Sequence, residues 1–135
     1  MNKPPRIKHL DEVVIEEIHL KKYSFPIQKK VDELHSCRIR IGDYVGPDYV
    51  GILGGLLLSN GKVAYIGVKK GKYFVNFDGE EGRGYGVIDE HKCLKEIDGN
   101  VAYFAGNYAF ESFLVVGNRE IRDYKEIEKL RKRMK

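Results

Sequence analysis

At 135 residues the chain has the length of one domain with one modest core, and a composition of 42% hydrophobic and 33% charged residues is that of a folding chain, not of a disordered or fibrous one. The net charge of +4 is local: positions 119–135 hold eight Lys or Arg against four Asp or Glu, while the rest of the chain balances at sixteen of each sign. That distribution excludes a basic groove running across the whole domain.

The N-terminal segment, 1–30, opens with MNKPPRIKHL and lacks the apolar core of a signal peptide. Residues 11–23 admit either a helix, with Leu10, Val14 and Ile18 on one face, or a strand, with Val14, Ile18 and Leu20 facing one way; Pro26 ends either. The longest apolar run, 52–58, is interrupted by Gly54 and Gly55 and falls far short of the ~18 residues that span a membrane. Cys37 and Cys93 are too few for a disulfide framework, so both are expected reduced and the protein cytoplasmic. Sixteen Lys and twelve Glu against a single Gln and no Thr or Trp resemble the composition of heat-adapted proteins.

Positions 36–118 carry an internal repeat. Gly61-Lys62-Val63-Ala64-Tyr65 returns as Gly99-Asn100-Val101-Ala102-Tyr103, and a Tyr-x-x-Ile element occurs at Tyr49, Tyr85 and Tyr124. The aromatic strand Tyr73-Phe74-Val75-Asn76-Phe77, followed by Asp78-Gly79, has counterparts in Phe113-Leu114-Val115-Val116 before Gly117-Asn118 and, more weakly, in 38–43. Alternating apolar residues between Gly-centred turns predict short antiparallel strands, with Val63, Tyr65, Phe74, Val101, Tyr103 and Phe113 in the core. In 119–135 an apolar stripe at Ile121, Tyr124, Ile127, Leu130 and Met134, with acids early and bases late, predicts a basic C-terminal helix.

The unit read from 61 to 88, G-K-V-A-Y-x-G-x-K-x-G-K-Y-F-V-x-x-D-G-x-E-G-x-x-Y-x-x-I, resembles a degenerate WD-repeat-like β-propeller unit, present in about two and a half copies over 42–127. The resemblance implies four-stranded blades and a role in binding other proteins, and it implies no catalytic residues. The chain has no Trp-Asp pair and too few units to close a ring.

Both cysteines stand two residues after a histidine, in His35-Ser36-Cys37 and His91-Lys92-Cys93. On strands each pair points to one face, and His35, Cys37, His91 and Cys93 together make a tetrahedral zinc set; the alternative is buried cysteine acting as a small hydrophobe. The stretch 70–77 matches the aromatic strand of RNA-recognition sheets at Lys70, Gly71, Phe74, Val75 and Phe77, the alternative being a buried aromatic strand. Positions 55–62 and 82–86 lack the spacing of phosphate-binding loops, and the adjacent acids Glu16-Glu17 and Glu80-Glu81 diverge on any regular element.

The expected fold is a single mainly β domain of short antiparallel repeat units, propeller-blade-like or a β-roll, with a C-terminal α-helix. The expected function is a non-enzymatic protein–protein interaction or scaffold module without a cofactor. Because two and a half units leave open faces, it is expected to act as a homo-oligomer or on a protein partner. An RNA-binding or metal-binding β protein is the alternative.

Overall fold

Short runs of β-branched and aromatic residues separated by two-residue turns dictate a molecule of hairpins. In the computed structural model, which describes residues 3–24, 29–88, 94–108 and 111–135 and the side chains of all of these except 18–24 and 29–35, twelve strands form three antiparallel sheets. The first sheet contains β1 (Val14–Ser24), β2 (Lys29–Ile41) and β3 (Tyr44–Val45) in chain order. The second contains β4 (Gly51–Leu57), β5 (Val63–Lys69), β6 (Lys72–Phe77) and β7 (Glu80–Glu81), again in chain order. In the third, β12 (Arg119–Ile121), β11 (Phe113–Val116) and β10 (Asn100–Gly106) are adjacent, and the far edge of β10 is shared by β8 (Val87–Ile88) and β9 (Lys95–Ile97). The sheets do not close into a barrel.

The turns follow from the residues that hold left-handed backbone. Lys70-Gly71, Asp78-Gly79 and Asp98-Gly99 each place two successive residues at positive φ, the requirement of the tight hairpin turn whose twist matches that of the strands it joins. Glycine in the second place removes one of the two steric penalties.

Burial explains how the sheets stack. β5 and β10 are apolar on both faces, so each sheet forms two cores. Val63 and Tyr65 pack with Ile39, Ile41 and Tyr49 of the first sheet and its connection, whereas Ala64 and Ile66 pack with Val101, Tyr103 and Phe113 of the third. On the far side of β10, Ala102 and Phe104 pack with Leu114, Ile121 and Ile127. The molecule is therefore a stack in the order first sheet, second sheet, third sheet, helix.

Five of the six expected core residues are buried; Phe74 is half-buried and packs at the edge of the first core. Of the two readings of 11–23, the strand holds: β1 pairs with β2 from Val14↔Arg40 to Ser24↔Lys29, preceded by a 3-10 turn at Leu10–Glu12. The C-terminal helix, α1 (Tyr124–Arg131), is shorter than 119–135. The first three of those residues pair with β11 as β12, because Ile121 lies opposite Leu114 and completes the third core. Asp123 then caps the helix by accepting from the Lys125 N–H at 3.2 Å, and Lys129 and Arg131 lie in its last turn, where the helix dipole favours cations.

Candidate functional site

Two of the three repeated tyrosines, Tyr49 and Tyr85, tie neighbouring sheets together, and each meets a glutamate of the following unit, whereas Tyr124 is exposed on α1. Tyr49, in the connection between the first and second sheets, donates its hydroxyl to Glu81 Oε1 at 2.6 Å, and Lys69 Nζ lies 3.0 Å from the same oxygen. Tyr85, in the next connection, donates to Glu120 Oε2 at 2.8 Å, where Arg83 also binds at 3.1 Å. Arg122 holds the other Glu120 oxygen at 3.1 Å and lies over the Phe113 ring, 4.1 Å from its centroid. The backbone repeats the device: Cys37 bridges Tyr49 as Tyr73 bridges Tyr85. The rings repeat it too, with edge-on contacts between Tyr49 and Tyr65 at 6.0 Å and between Tyr85 and Tyr103 at 6.4 Å.

Space for these rings comes from glycines. A side chain at Gly67 would meet the Tyr49 ring at 2.4 Å, and one at Gly84 would meet the Phe74 ring at 2.5 Å. Burial pushes the Tyr49, Tyr65 and Tyr85 hydroxyls up from their ordinary range, and burial raises Tyr103 to about 12. The Tyr85 hydroxyl, followed by Arg122, holds Glu120 below the usual carboxylate range.

The two junctions differ in their openness. Between the second and third sheets lies a cleft of about 440 Å³, lined by Glu81, Arg83, Tyr85, Tyr103, Asn118 and Glu120 among others. Both of its carboxylates accept a hydrogen bond from a tyrosine hydroxyl and pair with a cation, an arrangement that joins neighbouring sheets. At the junction of the first and second sheets, the Tyr65 hydroxyl and both polar atoms of Asn76 are buried without a hydrogen-bond partner among the described residues.

The residues singled out in the sequence scatter across this frame. Cys37 is buried in β2 with its thiol 3.7 Å from the Val50 carbonyl; burial first, and the Glu17 charge second, push its pKa up. His35 occupies β2 opposite His19, and its side chain lies outside the described residues, as do His91 and Cys93 entirely. Among the described residues no group of three or more His, Cys, Asp or Glu side chains is placed to hold a metal ion.

The stretch 70–77 forms β6 and the turn before it, in the interior of the second sheet. Tyr73 and Phe77 pack against one core and Phe74 against the other, so these rings are spent on joining sheets and do not form an open stacking surface. Glu80 and Glu81 do diverge: Glu80 is exposed near Lys3, and Glu81 turns inward to Tyr49. Glu81 is an exposed residue whose carboxylate nonetheless accepts from Tyr49. The signal was present in the repeat, since Glu81 and Glu120 each stand two residues after a turn, Asp78-Gly79 and Gly117-Asn118.

No known protein family, curated protein or solved structure matches the chain.

Proposed function

We propose that this is a non-catalytic protein-interaction module that docks through the margin formed by the β4 edge and the base of the β1–β2 hairpin. One observation carries the reading: exposed large hydrophobic residues concentrate there. Leu10 in the 3-10 turn against β4, Ile15 opposite the buried Ile39, Val50 just before β4 and Leu53 within it are all exposed. β4 is also an edge strand, with one side of its backbone ladder open, and an open ladder next to apolar side chains suits the addition of a partner's strand. Gly54, at φ +59°, shifts the register between Leu53 and Gly55 and breaks the edge into two short runs, a feature that discourages open-ended aggregation.

The stack ends bear on the choice of partner surface. The third sheet is covered by α1 through Ile127 and Leu130, and by Met134 beyond it. The outer face of the first sheet carries Glu16 between Arg38 at 3.0 Å and Arg40 at 3.2 Å. Edge docking therefore fits better than stacking of end faces, both for a second copy of this chain and for another protein. No helix among the described residues is long and apolar enough to cross a membrane.

Light scattering on the purified protein tests self-association: a mass of twice 15.5 kDa that returns to 15.5 kDa in Leu53→Lys supports docking of two copies at this edge. A 15.5 kDa wild type directs the reading to a different protein partner. A dimer unchanged by Leu53→Lys and Val50→Lys together would remove the β4 edge from the reading.

A further inference from the structure

The cleft between the second and third sheets continues beyond Tyr85. The space of about 440 Å³ adjoins a second of about 250 Å³ that reaches Phe77 and Asn100, and Gly82, Tyr103, Gly117 and Asn118 line both. Glu80 and Glu81 of β7 stand on its wall, so it lies at the opposite edge of the second sheet from β4.

One buried group on this wall is left uncommitted. Tyr103 is 2% exposed, yet its hydroxyl has no hydrogen-bond partner among the described residues, unlike the hydroxyls of Tyr49 and Tyr85. It reaches the wall at Gly82, where a Cβ would lie 3.8 Å from the hydroxyl oxygen. A polar side chain sunk this deep ordinarily bonds within the protein, and one directed into a cleft is available to a ligand.

Charge and surface select the ligand. The lining carries three carboxylates, Glu80, Glu81 and Glu120, against the single guanidinium of Arg83, although the chain as a whole is +4. Tyr49 and Lys69 both engage Glu81 Oε1, and a carboxylate offers about four lone-pair sites, so Glu81 retains capacity to accept. Buried Val75, Val101 and Val115 supply an apolar floor of the kind along which the methylene stem of lysine or arginine lies. The chain's own N-terminal segment displays such docking at the first junction. There Ile7 enters the core and gives its N–H to the Gly61 carbonyl at 3.1 Å, Pro4 is buried, and Lys3 Nζ lies 3.8 Å from a carboxylate oxygen of both Asp78 and Glu80.

We propose that the cleft between the second and third sheets binds an extended basic segment of a partner protein, whose Lys or Arg side chain lies over the valine floor and donates to the Tyr103 oxygen and the Glu81 carboxylate. Glu80, exposed at the rim, adds attraction for the same cation. The proposal rests on the interaction-module reading but uses the sheet edge opposite β4, so either surface can fail without the other.

Selection of phage-displayed random octapeptides on the immobilised full-length protein, followed by fluorescence polarisation of the enriched peptide, tests the assignment. The expected peptides carry Lys or Arg, bind less tightly as salt is raised, and lose affinity when that residue is replaced by Gln. Tyr103→Phe should weaken binding by about tenfold or more with the thermal melt preserved, and Glu80→Lys by about fivefold. Leu53→Lys, at the β4 edge, should leave peptide affinity unchanged, which separates failure of this cleft from failure of that edge. An absence of enriched peptides, enrichment without a basic residue, affinity that both Tyr103→Phe and Glu80→Lys leave unaltered, or affinity lost only in Leu53→Lys would each overturn the proposal.

Discussion

The two sheet junctions use the same device and reach different ends. At each, a tyrosine from the connection donates to a glutamate, a second tyrosine meets it edge-on, and a cation completes the group. Between the second and third sheets the carboxylate end opens into a cleft, and the core beneath it is large, built on Tyr85, Tyr103 and Phe113. Between the first and second sheets the core is smaller, and Tyr65 and Asn76 bury polar atoms that have no hydrogen-bond partner among the described residues. The lesson is that a repeat conserves the linkage while the filling decides where stability accumulates. The second junction is expected to hold the molecule together, and the first to be the weaker joint.

Deleting a ring from each core gives the largest contrast. Phe113→Ala should cost about 3 to 5 kcal/mol, since Phe113 is 1% exposed and its loss leaves a cavity beneath Tyr85. Phe74→Ala, at the half-buried margin of the first junction, should cost about half as much in the same denaturant titration. Equal losses would mean that the two joints are equally strong.

The tyrosine–glutamate bond comes next. Tyr85→Phe should cost about 1.5 to 3 kcal/mol near neutral pH, the range for a hydrogen bond to a charged group. Glu120 has a folded pKa below its ordinary 4.5, so its contribution is full above that pH and fades as the pH falls through the depressed folded value. The stability difference between wild type and Tyr85→Phe should therefore shrink in acid below about pH 4.5, and a pH-independent difference would show that the bond is not what stabilises Glu120. On the alkaline side the raised tyrosines act in the opposite sense. Their neutral forms favour the fold up to an ordinary value of 10.0, and that contribution is lost as the pH climbs through the higher folded values.

A methyl group at Gly67 would strike the Tyr49 ring, so Gly67→Ala should destabilise by about 1 to 3 kcal/mol through overpacking at the first junction. Hydrogen exchange should accelerate in β2 and β3 before β10 and β11; uniform acceleration would contradict the picture of a separately yielding joint. The smallest effect is a gain. Tyr65→Phe removes a buried hydroxyl that has no partner, and thermal melts should find it neutral or more stable by up to about 1 kcal/mol. A clear loss would mean that the hydroxyl is bonded in solution.

The β content, the C-terminal helix and five of six core residues were legible because they follow from local pattern: alternation, two-residue turns and a helical stripe. Phe74 was misjudged because a strand between two neighbours has two faces, and its ring falls on the one the smaller first core only partly covers. Residues 119–121 were read as helix because Ile121 fits a helical stripe, yet pairing with β11 satisfies their backbone and buries the same side chain.

By itself, then, the sequence determined the elements and the repeat, since both are encoded within a few residues of one another. Tertiary structure alone decided which side of each strand meets which neighbour, and so made Glu81 and Glu120 the partners of tyrosines more than thirty residues earlier. It also decided the register of β1 on β2, which sets Glu17 beside Cys37 and His19 beside His35. The physical reason is the same in both cases: spacing along one strand fixes a face, but the residues that share that face across a hairpin or a sheet junction are chosen by backbone pairing and burial, which have no local signature.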